Sequence, residues 1–234
     1  MLSVIIPTFN EGRYIERTLL ALKSQRCNEE VEIIVSDSFS TDGTAEIAKR
    51  YGARVVSSEP RGPAAGRNAG AAEAKGEVLI FLDADTIVSQ DLLQSISDVF
   101  KLEKDVVGGT SAFYPENGGA LDGAIYKFAN LFARVAIKLG YPHDPGYCGF
   151  YRREVFEKIG GIREDLALCE THDLAMRSRR YGRFIYLNAP VYTSLRRFKK
   201  EGYLKSLFTY IYSTLYYYLK KKVPKEKFKF VPVR

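Results

Sequence analysis

Val78-Leu79-Ile80-Phe81-Leu82-Asp83-Ala84-Asp85 is an apolar run that ends on two carboxylates with one small residue between them. An unbroken run of this length reads as a strand buried on both faces, the kind found in the middle of a parallel sheet. Two acids leaving such a strand cannot both enter the core without heavy cost. At the strand's end they can instead turn toward one ligand, and their hard oxygens suit Mg2+ or Mn2+. On spacing alone, D-x-D is equally a solvated turn whose Asp caps the next helix. Its position directly after a buried strand favours the ligand.

Outward from this stretch, apolar runs at Val4–Ile6, Val31–Val35 and Arg54–Ser57 alternate with helical patterns. Tyr14, Ile15, Thr18, Leu19 and Leu22 share one helical face; Thr44–Tyr51, Pro63–Ala74 and Gln90–Phe100 are further helices, with Gly52 placed to end the second. Alternating strands and helices predict a Rossmann-like α/β fold, a mixed, mostly parallel sheet flanked by helices. Ligands of such sheets sit beyond the carboxyl ends of the strands. Three polar clusters should therefore meet on one rim: Pro7–Glu11, Asp37–Thr44 and Asp83–Asp85. Asp37 can accept from a base N–H or cap the next helix. Arg61–Gly70 opens a helix rich in Gly and Ala; it either packs tightly on the sheet or admits a ligand, with Arg67 available to phosphate. Packing is slightly the better reading.

The later chain is less regular. Val106–Phe113, Cys148–Tyr151, Phe184–Leu187 and Val191–Ser194 read as strands. Arg153–Ile159 and Thr171–Tyr181 read as helices stopped by Gly160 and Gly182. Leu121–Lys138 reads as a long helix with Ile125, Phe128, Phe132, Val135 and Leu139 on one face.

The chain has 234 residues and a hydrophobic fraction of 46%, enough for one substantial core. Its net charge of +7 is uneven: residues 196–234 hold 12 Lys/Arg and 2 Glu, which leaves −3 for residues 1–195. Cys27, Cys148 and Cys169 lie too far apart in sequence for CxxC spacing, so neither a zinc site nor a disulfide framework is indicated. No secretory leader and no spanning segment is read, and a cytoplasmic setting is expected.

The ordered set SVIIPTFNE, IIVSDSFSTDGT, RGPAAGRNAG, GEVLIFLDADT, REVFEKIGGIRED and CETHDLAMRSRRYG resembles the family 2 glycosyltransferases, inverting enzymes of GT-A fold. The resemblance spans roughly residues 2–187. It implies a donor site from Pro7, Thr8, Asn10, Glu11, Asp37, Arg67, Asn68, Asp83 and Ala84. It also implies a Mn2+ or Mg2+ requirement, the ion held chiefly by Asp85 with Asp83. One departure stands out. Where the family has Glu-Asp, the Asp being its general base, this chain has Glu170-Thr171, then His172-Asp173. Asp173 and Glu170 are equal candidates to replace that base, with His172 behind them; an acceptor that is already anionic would need none.

In the tail, Leu204, Leu207, Phe208, Ile211, Leu215, Tyr218 and Leu219 form a helical stripe among tyrosines, before Lys220–Lys222. Rings beside lysines suit an amphipathic helix lying in a membrane interface, though the same stripe could pack on the body or on a second subunit. Arg196 and Arg197 can bind donor or acceptor phosphate.

The reading is one GT-A domain over residues 1–195, with a nucleotide and metal half (1–110) and an acceptor half (111–195), then a basic helical tail (196–234). It would move a sugar from a UDP- or GDP-sugar to a glycan or polyprenyl-linked acceptor, peripherally on the inner face of the cell membrane, with no nucleic-acid partner. The rivals are a sugar-phosphate nucleotidyltransferase, which usually has a Gly-rich basic loop after its first strand, and a nucleotide-sugar-binding protein that has lost catalysis.

Overall fold

The computed structural model describes residues 1–59, 62–224 and 228. Arg61 and most of the chain's last ten residues, which the motif and the tail reading include, lie outside the described residues.

Eight strands form one sheet in the order β3-β2-β1-β4-β7-β6-β8-β5. They are β1 (Leu2–Thr8), β2 (Val31–Asp37), β3 (Arg54–Ser57), β4 (Val78–Leu82), β5 (Thr86–Val88), β6 (Val106–Pro115), β7 (Cys148–Arg152) and β8 (Arg183–Thr193). The first four pair in parallel, as does β6 with β8; β4–β7, β6–β7 and β5–β8 are antiparallel. The chain winds one way from β1 to β3 and the other way into β4. That reversal opens a crevice beyond the ends of β1 and β4.

Side chains alternate across the strands. Val4, Ile6, Val35, Ile80 and Leu82 pack on one face against α1 (Ile15–Lys23), α2 (Thr44–Arg50) and α4 (Leu92–Leu102). Ile5, Ile34, Leu79 and Phe81 pack on the other against α3 (Pro63–Glu73), α6 (Arg153–Lys158) and α7 (Glu170–Ser178). In α3 the packing reading of the glycines is correct. A Cβ on Gly66 would lie 2.9 Å from Cβ of Pro7, and one on Gly70 2.5 Å from Cγ2 of Ile5. The helix therefore lies close on β1, which brings Arg67 to the rim.

Several local expectations change. The two strands expected over 184–194 are one strand, β8, and Thr86–Val88 forms a further short strand that pairs with its end. Helix α7 stops at Ser178. Gly182 instead serves packing, since a Cβ there would fall 2.3 Å from the Asp105 carbonyl oxygen. The long helix α5 (Ala120–Lys138) buries Tyr126, Asn130, Ala133 and Ala136 and turns Phe128, Phe132, Val135 and Leu139 outward. After β8 come α8 (Arg196–Glu201) and α9 (Tyr203–Lys220). Tyr217, Val223 and Phe228 pin the end of α9 to Leu166 in a small cluster of their own. Among the described residues no helix is long and apolar enough to cross a membrane.

Candidate active site

The crevice is lined by acids held between two arginines. Arg67, only 4% exposed, donates to Asp83 Oδ1 at 2.8 Å and to Glu170 Oε1 at 3.1 Å. Arg196 clasps Glu11 with both terminal nitrogens, at 2.7 and 2.8 Å, and its Nε lies 2.9 Å from Asp85 Oδ2. The face of Tyr14 lies 4.6 Å beneath the Arg196 guanidinium. Arg196 reaches Asp85 because β5 and β8 pair antiparallel, Thr86 opposite Thr193, which lays the chain after β8 alongside the D-x-D turn.

Burial outweighs these partners. It pushes the Asp85 carboxyl up to about 7, with Arg196 pulling down and Asp83 and Glu11 pushing further up. Desolvation likewise raises Asp83 against the pull of Arg67, and raises Glu11 against that of Arg196. These carboxylates sit where one more positive charge would be stabilised.

The rim next to β2 is a hydrogen-bonded frame. Thr8 Oγ1 and Ser40 Oγ donate to Asp37 Oδ1 at 2.8 and 2.6 Å, and the Ser40 N–H to Oδ2 at 2.9 Å. Asn10 accepts from the Thr41 N–H at 2.8 Å, and its own N–H donates to Ser40. Asn10 (φ 55°) and Phe39 (φ 59°) both sit in the left-handed region. For Phe39 this costs roughly 1–2 kcal/mol, which the frame must offset. Beside it lies a recess of ≈ 620 Å³ lined by Asn10, Gly12, Arg13, Tyr14, Thr41 and Asp42.

Other expected site residues have structural partners of their own. Pro7 lies within β1 against α3. The Ala84 side chain is buried in the core and its carbonyl accepts from Thr18 Oγ1 at 2.8 Å, which pins the D-x-D turn. Asn68 donates to the Ile162 carbonyl (2.8 Å) and to Glu164 (3.0 Å) and accepts from the Ile162 N–H (2.9 Å), fastening a loop. Arg197 pairs with Glu201 at 2.8 Å and adds positive potential at Asp83.

The four residues at the start of α7 separate clearly. Glu170 joins the site through Arg67. Thr171 donates to the Asp144 carbonyl at 2.8 Å. His172 is buried against His143, ring centroids 3.8 Å apart, and among the described residues neither of its ring nitrogens has a hydrogen bond of good geometry; desolvation pulls its pKa down to about 4. Asp173 accepts from Arg177, from Arg163 at 3.4 Å and from the Tyr217 hydroxyl at 3.0 Å. A base needs a free lone pair facing its proton and a suitable pKa. Three donors, two of them guanidinium groups, hold the Asp173 carboxylate, and burial makes the His172 imidazole a weak base. Cys169, in the left-handed region at φ 65°, turns the chain so that Glu170 begins the helix.

Sequence reasoning missed the segment between α5 and β7. The buried Asp144 accepts from the Gly146 N–H (2.9 Å) and the Tyr151 hydroxyl (2.8 Å), and the Gly146 carbonyl lies 3.4 Å from Arg67. Tyr147 stacks with Tyr126, and its hydroxyl, raised chiefly by burial, also feels Tyr210 and Asp83. The available signal was the turn mark Asp144-Pro145-Gly146, which places a carboxylate directly before the turn.

Comparison with known proteins agrees with this geometry. The model of "Glycosyl transferase family 2" matches residues 3–160. Glycosyltransferase AglE of Haloferax volcanii is 33% identical over 167 residues, 68% of this chain and 54% of that protein. The uncharacterized glycosyltransferase alr2836 of a Nostoc species is 31% identical, over 68% of this chain and 52% of the relative. The chain thus spans about half the length of these relatives. Among solved structures, the mannosyltransferase PcManGT from Pyrobaculum calidifontis, in complex with GDP-Man and Mn2+, superposes with a TM-score of 0.71 at 24% identity, covering 88% of this chain and 59% of its own. S. aureus TarS 1-349, in complex with UDP, gives 0.67 at 24% identity, covering 84% and 61%. These likenesses carry the GT-A fold, and the family match, which extends over more than half of the residues, places the chain in glycosyl transferase family 2.

Proposed function

We propose that this protein transfers a sugar, with inversion, from a nucleoside-diphosphate sugar bound in the crevice between β1 and β4. The observation that carries the reading is the cluster of Glu11, Asp83 and Asp85, short of positive charge despite Arg67 and Arg196.

A divalent cation fits the residues present. Asp85 and Asp83 offer hard oxygen ligands, and burial makes a countercharge at Asp85 favourable. Among the described residues no group of three or more His, Cys, Asp or Glu could hold an ion alone. That suits Mg2+ or Mn2+, which take one or two carboxylates and complete their shell with phosphates and water. When bound, the ion supplies the charge that stabilises the departing diphosphate. The structures of PcManGT with GDP-Man and Mn2+ and of TarS with UDP support a donor of this class.

This chain's own residues do the rest. Asp37 keeps one acceptor position for a base N–H after its three internal bonds. Arg196 holds Glu11 and Asp85, and would be available to phosphate if a cation took over those carboxylates. Arg67 orients Asp83 and Glu170 together, so donor and base are set by one guanidinium. Glu170 takes the proton from the acceptor hydroxyl, in place of the carboxylate lost at Thr171. In this reading residues 1–110 hold nucleotide and metal and 111–195 shape the acceptor site, while the tail begins by serving the site, through Arg196. Beyond it, α9 meets the membrane as a peripheral contact, and a lipid-linked acceptor is preferred to a soluble glycan.

The test is Asp85→Asn. It should abolish Mn2+ binding by calorimetry and lower transfer from a UDP- or GDP-sugar at least ~100-fold, within the range of a lost charge-stabilising group. Unchanged transfer and unchanged metal dependence would remove the assignment.

A further inference from the structure

We propose that α5 and α9 together form one docking face for an anionic lipid bilayer, set on either side of the acceptor wall. Helix α5 joins α9 in this face through its exposed side chains.

An ordinary surface helix hides its apolar stripe. Both of these helices do the reverse. On α5, Phe128 is 73% and Leu139 70% exposed, with Leu121, Leu131, Phe132 and Val135 exposed along the same helix. On α9, Leu204 is 86% and Leu219 80% exposed, with Phe208, Ile211 and Leu215 between them. Apart from one tyrosine each, Tyr126 and Tyr217, what the helices turn inward is small or polar: Asn130, Ala133 and Ala136 from α5, Ser206 and Ser213 from α9. Contiguous exposed apolar surface of this extent marks an interaction site. Each helix is roughly 27–29 Å long, so each presents a stripe and not a point.

The two faces belong to one structure. The Tyr203 hydroxyl at the start of α9 donates to Asp122 in the first turn of α5 at 2.6 Å. Tyr126 of α5 and Tyr210 of α9 both act on Tyr147, and the Tyr210 hydroxyl feels Asp83 and Glu170. The aromatic wall between the helices therefore leads to the proposed base.

Charge selects the occupant. Lys127 and Lys138 flank the α5 stripe, and Lys205, Lys220, Lys221 and Lys222 flank that of α9, all of them exposed. Protein–protein interfaces are depleted in lysine, whereas interfacial helices carry lysine beside an apolar face and place tyrosine rings at headgroup level. An anionic lipid surface matches both features; a second copy of this chain, equally basic on this face, does not.

The proposal stands on exposure and charge. It rests on the sugar-transfer reading only for its consequence, that the acceptor is presented from the lipid surface. The test is co-sedimentation of the full chain with vesicles of phosphatidylcholine containing phosphatidylglycerol, and with phosphatidylcholine alone. The wild type should bind the anionic vesicles and leave the neutral ones largely free. Phe128→Ser with Leu139→Ser, and separately Leu204→Ser with Leu219→Ser, should each weaken binding about tenfold or more. All four side chains are exposed, so the fold should persist, as read by circular dichroism. The rise in melting temperature given by UDP with Mn2+ should be unchanged in both variants, so a donor site that fails is told apart from a docking face that fails. Vesicle binding by the α5 variant equal to wild type overturns the proposal. So does a wild-type dimer in sedimentation that the α5 variant dissolves, which would give the face to a second copy.

Discussion

Glu170 and Asp173 are one helical turn apart, and chemistry separates them. Asp173 neutralises Arg177 and Arg163 and accepts from Tyr217, so it ties α7 to the loop before it and to the tail. Removing one partner of such a buried network leaves charge without compensation, at a cost of about 3–5 kcal/mol. Asp173→Asn, which keeps the shape, should lose about 2–4 kcal/mol in denaturant unfolding while the folded fraction keeps its turnover. Glu170→Gln should do the opposite: stability within about 1 kcal/mol of wild type, since one ion pair of Arg67 remains, and kcat down about 100-fold or more. Loss of kcat in Asp173→Asn with none in Glu170→Gln would exchange the two roles.

Helix α3 shows how an element can position a site through what it lacks. Its glycines let it approach β1, and the Arg67 between them reaches both Asp83 and Glu170 because of that approach. Gly70→Ala sets two effects against each other. Alanine improves helix propensity by up to about 1 kcal/mol. Its Cβ would stand 2.5 Å from Cγ2 of Ile5, which is fully buried and cannot swing away. Overpacking of this kind costs about 1–3 kcal/mol. Steric cost should win, giving a net loss of roughly 1–2 kcal/mol in denaturant midpoint analysis. The result should also include weaker donor binding, because the shift carries Arg67 with it. The same helix illustrates what was legible beforehand: the Ala/Gly pattern told of close packing, while its partner strand could be named only from the fold.

At the scale of the molecule, the buried His143–His172 pair makes stability depend on pH. Burial pulls His172 from its ordinary value near 6.5 to about 4, and His143 well below its own. Between those limits the unfolded chain takes up protons that the folded chain refuses, so stability falls as pH is lowered from about 6.5 toward 4. His172→Gln should flatten this limb, losing up to about 3 kcal/mol less than wild type over that window in unfolding experiments at stepped pH. Equal slopes would show that the imidazole is already hydrated in the folded chain. By itself the sequence determined the α/β class, most of the elements, the D-x-D rim and the family. These depend on local periodicity and on motifs that sit at strand ends, where a sheet must place its ligands. Only the tertiary structure decided that Arg196 meets Asp85 and Glu11, that Arg67 links Glu170 to Asp83, and that α5 turns its apolar stripe outward. Each of those follows from which elements lie side by side, through the β5–β8 pairing, the close seat of α3 and the side on which α5 meets the sheet, and no spacing along one chain encodes such neighbours.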